Sequence, residues 1–252
     1  MRSRRPKGRG VAIAAATLGV CLLLVATPAA AQQISIDMGE GGGFTERAMQ
    51  LIALITVLSL APSILIMVTS FTRIVVVLSL LRTAIGLQTA PPNSVIVSLS
   101  LFLTAFIMMP AFTTAYQSGI QPLIAEEIEP DEAFQRSAQP FRDFMLSQVR
   151  ERDLMLFLDM AAEDIPENPE DVSLQVLVPA FMISELKRAF EIGFLLFVPF
   201  IIIDMVVASL LMSMGMMMLP PIIISLPFKL VFFVLVDGWH LVVGSLVESF
   251  AT

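Results

Sequence analysis

Long apolar runs separated by short polar breaks dominate the pattern of this chain. The longest runs contain few polar residues and occupy positions 49–71, 94–112, 194–211 and 222–247. A helix that crosses the hydrocarbon core of a bilayer needs roughly 20 such residues. The pattern therefore predicts an all-α, membrane-associated protein built from helical hairpins.

A shorter apolar run at 74–81 lies between Arg73 and Arg82. Basic residues are retained on the cytoplasmic side of a membrane more often than acidic ones. The two arginines therefore suit the cytoplasmic side of the first hairpin.

Prolines fall within or beside almost every apolar run. A proline inside a helix removes a backbone donor and favours a kink or an end. Broken helices at membrane depth are tolerated where protein or a water-filled cavity surrounds them. We therefore expect proline-broken helices that assemble as a helical oligomer. The prolines concerned are Pro62, Pro110, Pro199, Pro220, Pro221 and Pro227.

Between residues 113 and 177 the pattern changes to fourteen acidic residues against four arginines. Apolar residues recur here at steps of three and four around Phe144 and Phe157, which predicts one or two amphipathic helices. The apolar faces of these helices either pack on the same chain or contact a neighbouring subunit. The acidic sign makes transfer out of the cytoplasm easy, so we expect a water-facing insertion on the outer side.

The N-terminus has the three parts of a secretory signal peptide: basic residues, an apolar stretch and small residues before Gln32. Cleavage is expected between Ala31 and Gln32. The sequence thus predicts five segments: a signal peptide at 1–31, a flexible mature N-terminus at 32–48, a first apolar hairpin region at 49–112, an acidic helical insertion at 113–178 and a second apolar hairpin region at 179–252.

The composition supports the membrane assignment and excludes several functions. Hydrophobic residues make up 56% and charged residues 15% of the 252 positions, whereas soluble domains have about 45–50% and about 25%. A net charge of −7 argues against a nucleic-acid partner. Cys21 and His240 are single residues of their types, which leaves no disulfide framework and no Cys/His catalytic pair. We predict no enzyme activity, catalytic residue, metal or cofactor.

Charged residues in the second half lie at helical spacing or alone within apolar runs. Glu185 and Arg188 are three positions apart, and Lys187 and Glu191 are four apart, so each pair could neutralise itself on one helix or reach a neighbouring subunit. Three further polar residues are predicted to be buried, because a lone charge facing lipid is costly: Asp204, Lys229 and Asp237. Asp204 would act either in a structural ion pair or as a proton-relay carboxylate.

The stretch MSMGMMMLPP at 212–221 combines methionines with residues that end helices. Gly215, Pro220 and Pro221 predict a turn between two apolar helices. Methionine side chains are flexible and polarizable, so the cluster could fill a core, form a deformable apolar surface or bind Cu(I) through thioethers. The residues alone leave these three interpretations open.

Several ordered motifs resemble the FliP/SctR family of type III export-gate subunits. They are TSFTRIVVVLSLLR at 69–82, APPNSV at 90–95, AQPFRDFML at 138–146, the run from PAFMISELKRAF to MMMLPP at 179–221, and SLPFKLVFFVLVDGWHLVVGSLV at 225–247. The resemblance covers nearly everything from about residue 50 onward. The loop at 163–171 and the glycine-rich stretch at 39–43 carry no recognisable motif.

The resemblance implies a non-enzymatic gate subunit in the bacterial inner membrane at the flagellar basal body, with the insertion in the periplasm. Several copies would assemble with FliQ and FliR, near FlhA and FlhB, to conduct unfolded flagellar proteins. It also implies a lumenal gasket formed by Met216, Met217 and Met218. Inter-subunit contacts are expected at Phe144, Phe157 and Glu185, together with Lys187, Arg188 and Glu191. The alternatives are an ion or proton channel using Asp204 and the equivalent subunit of an injectisome.

Overall fold

The computed structural model describes residues 44–162, 168, 171–216 and 218–251. All regular secondary structure within these ranges is helical, so the predicted all-α class is confirmed. The expected signal peptide, its cleavage between Ala31 and Gln32, most of the expected N-terminal linker and Met217 lie outside the described residues.

The described ranges form nine α-helices and one π-helical turn. The turn, Tyr116–Ile120, joins the helix Asn93–Ala115 to the short helix Gln121–Ile124. The chain divides into two units at residue 53, and the packing below is that of the second unit, residues 54–252. The helices are α1 (Phe44–Met67), α2 (Phe71–Ile85), α3 (Asn93–Ala115), α4 (Gln121–Ile124), α5 (Pro130–Gln148), α6 (Glu151–Ala161), α7 (Leu174–Ser213), α8 (Pro221–Leu235) and α9 (Gly238–Glu248).

Among the residues that the structure describes, two helical stretches are long and apolar enough to cross a membrane, which confirms the predicted membrane-type helices. They are Asn93–Ile124, with 32 residues, and Leu174–Ser213, with 40 residues. Helices α8 and α9 meet at a bend of 63° and form a third candidate span if they count as one. In the most apolar part of Asn93–Ile124 only 22% of the residues are buried inside the chain, and in that of Leu174–Ser213 only 17%. Most of their apolar surface therefore faces outward.

Prolines lie inside several of these helices without ending them. Pro110, Pro199 and Pro227 are interior residues of α3, α7 and α8, respectively. An interior proline removes one helical hydrogen bond, and apolar helices accommodate it when neighbouring groups satisfy the freed carbonyl. By contrast, Pro220 and Pro221 separate α7 from α8.

Helix α2 is the centre of the main apolar core. Of its fifteen residues only Thr83 is exposed, which fits the apolar run at 74–81. Gly193 lets α7 approach α2 closely, because a Cβ at this position would lie 2.3 Å from Leu80 Cδ1. The buried partners around α2 include Ile96 of α3, Ala189 and Phe200 of α7, Phe233 of α8, and Val242 and Leu246 of α9.

A second apolar core joins the acidic insertion to the start of α7. Met145 of α5 and Leu158 of α6 are 2% exposed, and they pack with Leu177 and Phe181 of α7, which are completely buried. The amphipathic periodicity of the insertion thus serves, at least in part, to attach it to its own chain. The predicted boundary between 112 and 113 lies inside α3, which continues to Ala115.

Candidate functional site

The methionine-rich turn begins where α7 ends at Ser213. Gly215 has a φ of +73°, and its N–H donates to the Met212 carbonyl at 3.1 Å. The next N–H, from Met216, reaches back to the Leu211 carbonyl at 3.0 Å. These two bonds form a Schellman ending, which places glycine in the left-handed region because a Cβ is disfavoured there.

Two prolines then set the direction of the returning chain. Pro220 is extended, with φ −67° and ψ 115°, and Pro221 is the first residue of α8. Proline suits the first helical position because its missing N–H would have no helical partner there. The sequence thus forms a turn whose ends are fixed on both sides by the backbone preferences of glycine and proline.

The methionine side chains that the structure describes in this turn are exposed. Met218 is 98% exposed and Met216 is 48% exposed, and Met212 and Met214 are also exposed. An apolar side chain with almost no contact in its own chain has surface available for other molecules. Within the described residues, the turn is therefore an apolar tip at the end of the α7–α8 hairpin.

An apolar groove of 490 Å³ runs along the hairpin below this tip. It lies between α7 and α8, and Met214 closes its end beside the turn. The lining side chains are entirely hydrophobic, so the groove has no group that could orient a polar ligand. They are Ile202, Ile203, Val206, Val207, Leu210, Leu211, Met214, Ile224, Phe228 and Phe232.

An ion pair also joins α7 to α8. Lys229 Nζ lies 2.6 Å from Asp204 Oδ2, and the Ser225 hydroxyl donates to Asp204 Oδ1 at 2.5 Å. The lysine is buried, and its Nζ also lies 3.5 Å from the Ala84 carbonyl at the end of α2.

Asp237 was expected to be buried together with Asp204 and Lys229. The structure places it exposed in the turn between α8 and α9, at a φ of +51°, so it does not join the pair.

A second ion pair lies at the opposite end of α2. Arg73 and Glu185 are both completely buried, and the Arg73 Nε donates to Glu185 Oε2 at 2.9 Å. The position of Arg73 before an apolar run suggested a surface charge at a cytoplasmic loop. The structure instead places this side chain in the interior. Glu185 faces the interior of its own chain, whereas a contact with a neighbouring subunit would need exposed side-chain surface.

Asp153 anchors the start of α6 to α7. Its Oδ2 accepts hydrogen bonds from the Ser184 hydroxyl at 2.6 Å and from Arg150 Nη2 at 2.6 Å. Burial alone would raise the pKa of Asp153, but the bonds from Ser184 and Arg150 outweigh it. The pKa therefore lies below the ordinary value of an aspartate.

The other residues expected at subunit contacts occupy different environments. Phe144 is half-buried and packs edge-on against Phe181, with ring centroids 5.9 Å apart. Phe157 is also half-buried, beside the second core. Lys187 and Glu191 form an exposed pair on α7 at 3.5 Å. Arg188 donates to Gln148 Oε1 at 3.1 Å, the same oxygen that accepts from Arg73.

Sequence reasoning missed the polar partners that meet the buried charges. Gln148, Ser184 and Ser225 give no local signal, because serine and glutamine are common in helices of every kind. Arg73 could have been found, since a charge one position before an apolar run is costly unless a partner neutralises it.

In the described ranges, no three His, Cys, Asp or Glu side chains lie together in a group that could hold a metal ion.

These features define a helical membrane protein with internal ion pairs, a packed acidic insertion and an exposed methionine-rich turn. Comparison with known proteins gives its family. The profile of the FliP family matches residues 54–246, and the chain belongs to this family. It is a flagellar biosynthesis protein, consistent with a subunit of the flagellar export apparatus.

Three relatives illustrate the extent of the similarity, and each is named "Flagellar biosynthetic protein FliP". The relative from Caulobacter vibrioides is 61% identical over 230 residues, which cover 91% of this chain and 86% of that protein. The Bacillus subtilis relative is 55% identical over 202 residues, with 80% and 91% covered. The Aquifex aeolicus relative is 54% identical over 217 residues, with 85% and 91% covered.

Proposed function

We propose that several copies of this chain assemble with FliQ and FliR into the flagellar type III protein export gate. Unfolded flagellar proteins would pass through this gate, with FlhA and FlhB nearby. The observation that carries the proposal is the exposed Met218 side chain at the tip of an apolar hairpin, in a chain of the FliP family. In a single copy the apolar tip contacts little of its own chain, whereas a ring of copies can bring the tips together at an axis.

The outer surfaces of the long helices support an assembled state. Most of the apolar surface of Asn93–Ile124 and Leu174–Ser213 is left uncovered by the chain itself. Lys187 and Glu191 lie exposed on the second of these stretches, and charges at such positions face protein or water more readily than lipid. Lipid covers apolar helices but does not solvate this pair, so neighbouring subunits are the better cover for this face of α7.

The proposed contacts between subunits follow from the exposure of the candidate residues. Lys187, Arg188 and Glu191 would contribute polar contacts on α7, and the free faces of Phe144 and Phe157 would contribute apolar ones on the insertion. Glu185 is left out of this surface because Arg73 occupies its carboxylate inside the chain. The gate would lie in the inner membrane at the basal body, with the insertion in the periplasm.

The methionine-rich turn would act as a deformable seal formed by Met216, Met217 and Met218. Thioether side chains have several rotatable bonds, so a ring of them can close around irregular shapes. At rest, an apolar constriction excludes water and ions, and it can part around an unfolded chain without requiring a particular sequence. The Schellman ending at Gly215 and the two prolines would hold the ring of methionines at a fixed height.

The proton-relay alternative for Asp204 finds less support. A relay carboxylate needs to exchange its proton with a water path, whereas Asp204 is held by Lys229 at 2.6 Å and by Ser225 at 2.5 Å. Both carboxylate oxygens are thus committed to partners on α8. The geometry favours the structural ion pair that joins the two helices of the hairpin.

A deletion strain tests the export function. Loss of the gene is expected to abolish motility and secretion of flagellar proteins without slowing growth, and the wild-type gene on a plasmid should restore both. A tagged copy should also purify with FliQ, FliR and untagged copies of itself. Full motility of the deletion strain, or purification of the tagged chain as a lone monomer, would contradict the proposal.

A further inference from the structure

The last residues of the described chain dock into the junction formed by the Arg73–Glu185 pair. Four segments that are distant in sequence meet there: the start of α2, the end of α5, the first half of α7 and the residues after α9. One completely buried side chain of α2, Arg73, contacts all three other segments. No function described above requires the C-terminal residues to be held in this way.

The guanidinium of Arg73 donates hydrogen bonds to each of the other three segments. Its Nε and Nη2 bind the Glu185 carboxylate, and its Nη2 also donates to Gln148 Oε1 at 3.0 Å. Its Nη1 donates to Ser249 twice, to the carbonyl oxygen at 3.0 Å and to the hydroxyl at 3.1 Å. Only arginine offers donors in this planar arrangement, because the lysine ammonium is a compact point charge.

Aromatic stacking adds a second contact to the same segment. The Arg73 guanidinium carbon lies 3.8 Å from the centroid of the Phe250 ring, which is the geometry of a cation–π interaction. The Phe144 ring of α5 stacks near-parallel to Phe250, with centroids 6.1 Å apart and planes 25° apart. Phe250 thus contacts both the buried arginine and the acidic insertion.

We propose that Arg73 is a positioning residue that clamps the C-terminal segment, residues 249–251, to the end of α5. The chain returns through α8 and α9, and the clamp attaches the residues after α9 to the helices α2 and α7. It thereby couples the C-terminus to the acidic insertion. The clamp is a property of the single chain, whereas its effect on export rests on the proposed function.

A simple stability role for the buried pair makes a different prediction from a clamp. If Arg73 only neutralised Glu185, any cation at position 73 would serve, and the C-terminal segment would be held by its turns on α9. If Arg73 is a clamp, Arg73→Lys keeps the charge opposite Glu185 but releases Ser249. Phe250→Ala weakens the same attachment from the other side and leaves the ion pair intact.

The test uses a spin label on the full-length protein in membranes. In a Cys21→Ser background, which removes the single native cysteine, Ala251→Cys places the label on an exposed residue next to Phe250. Asp131→Cys places a control label on an exposed residue at the start of α5. Electron paramagnetic resonance spectra are recorded for the parent, Arg73→Lys and Phe250→Ala proteins.

The clamp predicts an immobilised line shape at position 251 in the parent and a shift to a mobile one in both variants, with no change at position 131. An unchanged spectrum at position 251 in either variant would overturn the clamp, and so would equal loosening at both positions. If Arg73→Lys does not accumulate, Phe250→Ala decides alone. Motility of the same strains is a separate readout: full motility with a mobile label keeps the clamp and refutes its effect on export.

Discussion

Buried charged residues pair between the helices of this chain. Arg73 and Glu185 have no exposed surface, and each would be costly to bury without the other. Replacing one partner leaves the remaining charge uncompensated. In the isolated chain, by contrast, the exposed side chains of Lys187 and Glu191 leave whichever charge remains accessible to water. The effects of substitutions should therefore differ strongly between glutamates that are only six positions apart on α7.

Glu185→Gln is expected to lower the free energy of unfolding by about 3 kcal/mol, because breaking a buried pair by removing one partner costs about 3–5 kcal/mol. Glu191→Gln is the matched control on the same helix, and it should change stability by less than about 0.5 kcal/mol. Chemical unfolding of the purified proteins in detergent measures both. Equal effects of the two substitutions would show that the Arg73 pair does not stabilise the fold.

The lowered pKa of Asp153 predicts a pH-dependent stability. Because the folded pKa is lower than the unfolded one, the stabilisation is fully present above the unfolded value, about 3.9. It is lost as pH falls through the folded value. The stability difference between the parent and Asp153→Asn should therefore be constant from about pH 7 to pH 5 and shrink below about pH 4. A difference that changes between pH 7 and pH 5 would contradict the assignment.

At the scale of elements, the α7–α8 hairpin could be predicted from sequence better than the position of α2. Glycine followed by two prolines predicts a turn because these residues restrict the backbone locally. The pairing of Arg73 with Glu185 could not be predicted, since its partners lie 112 positions apart. The interior prolines were also misleading, because a helix such as α7 continues past Pro199 when its other hydrogen bonds remain intact.

Gly215→Ala tests the backbone geometry of the turn. The left-handed φ of Gly215 should cost about 1–2 kcal/mol for alanine, even though nothing lies within 4 Å of the added Cβ. Gly244→Ala is the control, because its Cβ also meets nothing within 4 Å but it lies inside α9. There alanine should stabilise by about 0.5–1 kcal/mol. Thermal unfolding measures both, and a stabilising Gly215→Ala would refute the left-handed turn.

The Asp204–Lys229 pair provides the test between structure and proton transfer. Asp204→Asn alone leaves a buried lysine without its carboxylate and should lower the amount of folded protein in membranes. The double variant Asp204→Asn/Lys229→Met removes both charges, so folded protein and motility should largely return. Immunoblots of membranes and swimming assays measure these outcomes. A double variant that accumulates normally but cannot export would instead indicate a carboxylate needed for transport.

At the scale of the whole molecule, the chain leaves most of the apolar surface of its two long helical stretches uncovered. The composition and the apolar runs were sufficient to predict an all-helical membrane protein. They could not show which apolar surfaces are covered by the chain itself, because lipid-facing, subunit-facing and core-facing helices have similar sequences. The insertion illustrates this limit, since its periodicity fitted a neighbour as well as the internal core that it shares with α7.

The outward-facing surface of the long helices and the methionine tip lead to the same expectation. A ring of copies would cover the outward-facing surface of the long helices and enclose the methionine tips. The seal would then be a property of the assembly. Met205 provides a control for it, because this residue is exposed on α7 but precedes the turn by several positions.

The ion permeability of the purified gate complex, reconstituted in planar bilayers, tests the central claim most directly. Three complexes are compared: the parent, Met205→Ala, and the triple variant Met216→Ala/Met217→Ala/Met218→Ala. A deformable methionine seal predicts negligible resting current for the first two and a clear rise in small-ion current for the triple variant. A triple variant that assembles normally and carries no more current than the parent would contradict the seal.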